Sequence, residues 1–402
     1  MEFKYLLKKI KIAWTSESLG KRIIVYIRSQ ILIYFYIPLT YLTQSKNKLS
    51  LNLIDGYKDQ RSMNDHVKIK SDQIVRIIKA YKLAKNDEKI SPLEYKIRGL
   101  WKEWISVNFK ELIIALETEN LECLSKLFNN IIREQFTRGL GGYDEWNRYN
   151  CLFGKSYLKY VWINYYKKLI NLQGNKEINF PKVGNPCGII YKKKIIPYES
   201  LRHAYRAEEI KNCLIDLKKK IIVEIGGGYG GLGFQLISKL DKNENNKFIL
   251  FDIPEVVAIS SAFLITSLPN KKINLYGEVP ISSTTKDFEI GIFPHFTIDN
   301  LESDSIDLFY NSCSFSEMDS ASSKKYLSII ERCCRKYFMH DNHENDLSFR
   351  QIDGSLSKNI IGSKLVPDSN NFKLIYKKIR THGLPEDKSF VSYEYLYEKF
   401  NK

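Results

Sequence analysis

The chain has 402 residues, 44% hydrophobic and 27% charged, with 21 Phe and 26 Tyr. This excludes a disordered, collagen-like or disulfide-scaffold protein and leaves room for two folded domains. The net charge of +16 fits an anionic partner (nucleic acid, membrane surface or phosphorylated substrate) as well as it fits a generally Lys-rich sequence.

Residues 1–45 place Lys4, Lys8, Lys9, Lys11, Lys21 and Arg22 before an apolar run, Ile23 to Leu42. The run starts too late for a signal peptide, and no small-residue cleavage site follows. Arg28, Ser29, Gln30 and Pro38 interrupt it, which disfavours a transmembrane span. A basic, aromatic helix packed on the next domain is expected, with contact to an anionic membrane surface as the competing reading. Residues 46–75 are polar and loop-like around Gly56. Helical spacing begins near Asp72 with Ile74, Ile77, Ile78 and Tyr81. Pro92 is placed to open a second helix through Leu93, Ile97, Leu100, Trp101 and Trp104. The pattern continues through 112–116 and 121–132 and stops at Gly139-Leu-Gly-Gly142. All five tryptophans lie at or before Trp162. Glycines and prolines from Gly174 to Gly188 mark a linker, followed by a short hairpin at 188–196. The boundaries predicted are therefore a basic, apolar segment over 1–45, a helical aromatic-rich domain over 46–195, and a second domain over 196–402. Cys123, Cys151, Cys187, Cys213, Cys313, Cys333 and Cys334 form no pair at metal-ligand spacing, so reduced thiols and no metal are expected.

The second domain alternates strand and helix. Strands are predicted at 221–225, 247–252, 272–276, 305–310 and 336–340, with helices at 200–218, 231–240, 254–268 and 321–335. Two extended runs, Phe372–Ile379 and Ser389–Tyr397, close the chain. This is an α/β series with a mostly parallel sheet and a C-terminal antiparallel hairpin. Its ligand is expected at the carboxyl ends of the strands.

The stretch Ile221-Ile-Val-Glu-Ile-Gly-Gly-Gly-Tyr-Gly-Gly-Leu-Gly233 reads as a buried strand, a tight turn and a helix start. Glycine lets a ligand approach the backbone, and the first helix amides face it. Gly226, Gly228 and Gly231 also fit the dinucleotide fingerprint, a weak signal alone. Glu224 stands two residues before the first glycine, where an acid pairs with a cationic amino group and repels a pyrophosphate. Asp252 ends the second strand, where an acid accepts from ribose hydroxyls, and Pro254 starts the next helix.

These residues, with Phe251-Asp-Ile-Pro-Glu255, resemble class I S-adenosylmethionine-dependent methyltransferases. Together with Asn311-Ser-Cys-Ser-Phe-Ser-Glu-Met318 and Ser392-Tyr-Glu-Tyr-Leu-Tyr-Glu398, they resemble more narrowly the sugar O-methyltransferases inferred from bacterial surface-polysaccharide clusters. The resemblance covers roughly residues 195–402 and implies a Rossmann-like methyltransferase sheet. It implies that Glu224, Gly226, Gly228 and Gly230 cradle the methionine part of S-adenosylmethionine. Asp252 would accept from the ribose, Ile253 would lie beside the adenine, and Asn311 and Ser312 would lie near the transferred methyl.

A sugar hydroxyl needs its proton removed, so a general base is expected. The candidates are His203 on the helix before the first strand, His340 and His343 after the fifth, and Glu317 after the fourth. His66 and His382 fall in polar loops, and His295 reads as packing. Arg202 and Arg206 share a helix face and would hold an anionic group. The acceptor is expected to be a sugar or glycan, with phosphate-bearing and lipid-linked forms both open. The place is the cytoplasm, or the inner face of the membrane. No nucleic acid is expected, because the fourth-strand segment lacks both an Asn/Asp-Pro-Pro-aromatic motif and a Pro-Cys pair. A nicotinamide-dependent oxidoreductase and a non-catalytic, membrane-associated assembly protein remain the alternatives.

Overall fold

The computed structural model describes residues 51–400, except 152–153, 175, 241–244, 282–287, 351–355 and 381–391. The segment 1–45, His382 and the first residues of the last extended run lie outside the described residues. Six helices come first: α1 (Ser71–Glu88), α2 (Gly99–Asn108), α3 (Lys110–Glu117), α4 (Leu121–Phe128), α5 (Tyr143–Tyr149) and α6 (Gly154–Gln173). Strands β1 (Ile189–Tyr191) and β2 (Lys194–Ile196) form the expected small hairpin. Then follow α7 (Tyr198–Cys213), β3 (Ile221–Ile225), α8 (Gly231–Lys239), β4 (Lys247–Asp252), α9 (Pro254–Ser267), β5 (Ile273–Leu275), β6 (Ile290–Pro294), β7 (Ile306–Ser312), α10 (Ser320–Cys333) and β8 (Cys334–His343). A second hairpin, β9 (Ser348–Arg350) with β10 (Leu356–Lys358), precedes β11 (Phe372–Ile379) and β12 (Ser392–Lys399).

The eight-stranded sheet has the order β11-β12-β8-β7-β3-β4-β6-β5. Strands β5 to β8 with β3 and β4 run parallel, and β12 is antiparallel to both β8 and β11. This is the predicted Rossmann-like sheet with its terminal antiparallel hairpin.

Two expectations change. Strand β6 was not foreseen. It inserts between β4 and the predicted third strand, which moves to the sheet edge as β5. The helix expected to open at Pro92 is only a 3-10 turn, Leu93–Tyr95, and α2 starts at Gly99. Tyr95 is buried instead against the sheet, in edge-on contact with His295 and Tyr326. That tertiary contact overrides the local helical spacing.

Side chains alternate between the two faces of the sheet. One face presents Ile222, Leu250, Ile292, Leu308 and Met339, and its core continues into α1, α4, α6 and α7. The other presents Val223, Ile249, Phe309 and Phe338, packed on Tyr326, Ile330 and Tyr95. Helix α9 explains how the helical half joins the sheet. It is buried from Pro254 to Thr266 with apolar residues on every side, and the Ser260 and Thr266 hydroxyls donate to its own backbone carbonyls, which fits a helix enclosed all round. It packs against β4 and β6 and also against α1 and α4. Lys85 on α1 pairs with the buried Glu255 at 2.9 Å. Among the described residues no helix is long and apolar enough to cross a membrane.

Phe263 sits at this junction, fully buried, with Tyr229, Phe234 and Phe180 around its ring. Phe263→Ala is expected to lower the unfolding free energy by about 3–5 kcal/mol, read as a lower urea midpoint with the slope unchanged.

Candidate functional site

The carboxyl ends of the parallel strands share one edge, and the crevice opens where the chain leaves β3 for β4 on one side and β7 on the other. A cavity open at its mouth lies there, lined from the ends of β3, β4 and β7, from α7 and from the helical half.

The glycine turn forms one part of the lining. Gly226 and Gly228 take φ values of 76° and 56°, left-handed backbone that a Cβ resists. A Cβ on Gly226 would stand 2.4 Å from the Ser314 Oγ. Both glycines line the cavity. Gly230 does not; it lies against α9, where a Cβ would meet Leu264 at 2.9 Å.

Asp252 fixes this turn. Its Oδ2 accepts from the Gly228 N–H at 3.0 Å and its Oδ1 from the Ile253 N–H at 2.8 Å. Each oxygen keeps a lone pair for another donor. Burial pushes the Asp252 carboxyl up to about 7, against the two backbone hydrogen bonds that favour its charge. Glu224 lies close by, 5% exposed, and its Oε2 has no hydrogen-bond partner. Burial first, and then the Asp252 charge, push Glu224 up to about 8. A buried carboxyl without a partner is costly, and a cationic ligand group removes that cost. Ile253 lines the cavity next to Asp252. The lining therefore fits a ligand with a cationic amino-acid tail and a diol, the two features that S-adenosylmethionine combines.

The opposite wall follows β7. Ser312 lines the cavity and donates to Asp341 at 2.8 Å. Asn311 does not line it. Its amide donates to the Ile225 carbonyl at 2.9 Å, and its Oδ1 accepts from Asn342 at 2.9 Å. Asn311 thus ties the ends of β3, β7 and β8 together. Cys313 holds a non-glycine φ of 63°, a strained conformation of the kind found where a site over-determines its backbone.

Of the four base candidates, the structure brings two to the cavity, Glu317 and His203. Glu317 Oε2 accepts from the Trp101 indole N–H at 2.9 Å. Burial raises its carboxyl above the usual range, while Trp101 and then Arg380 act in the opposite direction. His203 is held well below its ordinary value by burial and then by Arg202. Its Nε2 lies 3.3 Å from the Arg202 guanidinium, so the neutral ring is a weak base. His340 is stacked between Phe338 and Tyr395 within the sheet's aromatic packing, and burial pushes it down to about 3. His343 is buried at the end of β8, where its Nδ1 accepts from the Asn345 N–H, and burial and Arg380 lower it to about 4. Neither lines the cavity.

Arg202 borders the cavity and pairs with Glu199 at 2.8 Å. Arg206 reaches the lining, but three carboxylates engage its guanidinium: Glu394 and Glu209 at 2.6 Å and Asp341 at 3.4 Å. Burial opposes its charge, yet these acids hold its proton affinity well above normal. Arg206 is therefore a structural anchor rather than an anion receptor. Sequence reasoning missed the residues contributed by the helical half: Tyr95, Lys96, Arg98, Trp101 and Leu140 all line the cavity. The concentration of tryptophan in that half was the one available signal.

No family model matches the chain, and no curated protein matches it. It is similar to solved structures of methyltransferases. One is the magnesium protoporphyrin IX methyltransferase of Synechocystis PCC 6803 with bound S-adenosylhomocysteine, at 11% identity and a TM-score of 0.33, covering 60% of this chain and 97% of that one. Another is the 1,6-didemethyltoxoflavin-N1-methyltransferase of Burkholderia thailandensis, at 13% identity and a TM-score of 0.31, covering 50% and 79%. A third is a methyltransferase of Aquifex aeolicus, at 12% identity and a TM-score of 0.30, covering 50% and 92%.

Both raised carboxyls bind protons more tightly in the folded chain than in the unfolded one. Their contribution to stability is present at low pH and is lost as pH rises toward 7 and 8. Ligand-free protein is expected to lose stability between pH 5 and pH 8, by up to about 1.4 kcal/mol per pH unit for each carboxyl. Urea unfolding across that range should show a shallower decline for Glu224→Gln than for the wild type.

Proposed function

We propose that the chain is an S-adenosylmethionine-dependent O-methyltransferase whose acceptor is a hydroxyl of a sugar, in a surface polysaccharide or its activated precursor. The observation that carries the reading is the buried, unpartnered carboxyl of Glu224 beside the glycine turn. A pyrophosphate there offers Glu224 no cation to ionise against, and its own charge would oppose that ionisation, which separates this reading from a nicotinamide-dependent one.

The bound cofactor supplies an electrophilic methyl group on a sulfonium. Glu224 ionises to hold the ammonium of the amino-acid tail. Asp252 uses its remaining lone pairs for the ribose hydroxyls and keeps the turn in place. Glu317 takes the acceptor's proton; a raised carboxyl is a better base than an ordinary one. His203 stays neutral and borders the acceptor space. Lys96, Arg98 and Arg202 bring cationic groups into the lining, which suits an acceptor carrying a phosphate or a carboxylate, nucleotide-activated and lipid-linked sugars included. The polar, Trp-containing lining from the helical half suits a sugar ring.

Calorimetry at pH 7 tests the reading. S-adenosylmethionine and S-adenosylhomocysteine are expected to bind, while NAD and NADH are not. Binding should release protons to the buffer, because Glu224 is mostly protonated below pH 8 and ionises against the ammonium. Glu224→Gln should abolish that release, and Asp252→Ala should weaken binding roughly 10–100-fold. Absence of S-adenosylmethionine binding by the wild type would sink the proposal. The acceptor class is then read by transfer of a radiolabelled methyl to nucleotide sugars and to lipid-linked saccharides.

A further inference from the structure

Resting on that reading, we infer that Trp101, from the helical half, is a positioning residue that orients Glu317 and sets its affinity for the acceptor proton. The indole N–H donates to Glu317 Oε2 at 2.9 Å. Among the described residues no hydrogen bond reaches Oε1, so that oxygen is the one left to receive a proton. An indole has one donor and no acceptor. It therefore stabilises the ionised carboxylate more than the protonated acid, whose Oε2 is a neutral and weaker acceptor.

The surroundings make this bond influential. Glu317 sits at the end of a 3-10 turn, Ser314–Glu317, that follows the strained Cys313. Its carboxyl is half-buried in a wall of the cavity. The other charged and titratable groups around it are Arg380, which favours the carboxylate, the Cys313 thiol on its own loop, and the Arg98–Asp319 pair at 3.4 Å. In a partly enclosed setting, one directed hydrogen bond to a charged group is worth about tenfold in proton affinity.

Trp101 is itself held. Helix α2 carries Trp104 one turn later, and the Trp104 indole donates to the Arg138 carbonyl at 3.2 Å. Just before α2, Arg98 pairs with Asp319 at the start of α10, and the Glu94 carbonyl accepts from Ser322 at 2.6 Å. The segment that bears Trp101 is thus fastened both to the helical half and to the sheet. The methyl moves from sulfur to the acceptor oxygen as the C–S bond breaks. The acceptor's proton passes to Glu317, and the sulfur leaves as a neutral thioether. Trp101 acts on the proton half of this exchange.

The test uses the full chain labelled with 15N at the indoles. The Trp101 resonance is identified by its loss in Trp101→Phe. It is expected to titrate with a midpoint above the ordinary glutamate range, and to stop titrating in Glu317→Gln, which keeps the side-chain shape. With 13C at the glutamate carboxyls, the Glu317 midpoint is expected to rise by about one pH unit in Trp101→Phe, a tenfold gain in proton affinity. An indole resonance indifferent to pH, one that titrates unchanged in Glu317→Gln, or a Glu317 midpoint unmoved in Trp101→Phe overturns the inference. Calorimetry with S-adenosylhomocysteine separates the two proposals. Failure to bind the wild type overturns the methyl-transfer reading, whereas intact binding with a silent indole overturns only the role of Trp101.

Discussion

The carboxylate of Asp252 joins two turns that would otherwise come apart. It accepts one amide from the glycine turn after β3 and one from the start of α9. Without that acceptor two buried amides would lack partners, and a glycine-rich turn has much conformational freedom to lose on ordering. An acid that does this work must stand beside the ligand, and Glu224 stands there as well. Glu224, buried, and Asp252, half-buried, thus stand at neighbouring strand ends with the glycine turn between them.

A second acid organises the other side. Asp341, fully buried, accepts from Tyr310 at 2.7 Å and Ser312 at 2.8 Å, and pairs with Arg380 at 2.8 Å and Arg206 at 3.4 Å. Arg206 lies one turn along α7 from Arg202 and next to His203 in helical phase, so anchoring it to β8 and β12 also sets where the cavity-facing side chains of α7 stand. The Arg206 guanidinium further lies over the Tyr310 ring at 5.3 Å. A buried ionic network of this kind gives little net stability over apolar packing, but its removal in part is severe. Its effect here is positional: the loop with Ser312 and Cys313 and the helix with Arg202 share one point of attachment.

Much of the sheet was legible from sequence because its inner strands were short apolar runs, several of them separated by helices. Strand β6 was not, since Gly291 and Pro294 punctuate five residues that follow no helix. The cofactor end of the site was legible for a physical reason. Glycines at left-handed φ and an acid at a strand terminus leave few alternatives. The base candidates were not separable in the same way. His340 lies near the ligand edge by position along β8, but Phe338 on its own strand and Tyr395 and Tyr397 on β12 cover its ring, a packing that its local sequence does not show. Asn311 reads as a site residue and instead joins strand ends. Trp101 had no local signal, because its partner Glu317 is 216 residues away.

Helix α9 has a temporal consequence. It is buried on every side, and part of that surface is covered by α1 and α4, made long before it during synthesis. The first half therefore emerges with an uncovered apolar flank that nothing local can satisfy. It must wait for α9, whose first residue, Pro254, lies 166 positions after Glu88, the last of α1. Contacts of such sequence separation make assembly slow, and the interval exposes an aggregation-prone surface. The nascent chain is thus most vulnerable between completion of α6 and arrival of α9, a window in which chaperone capture competes directly with folding.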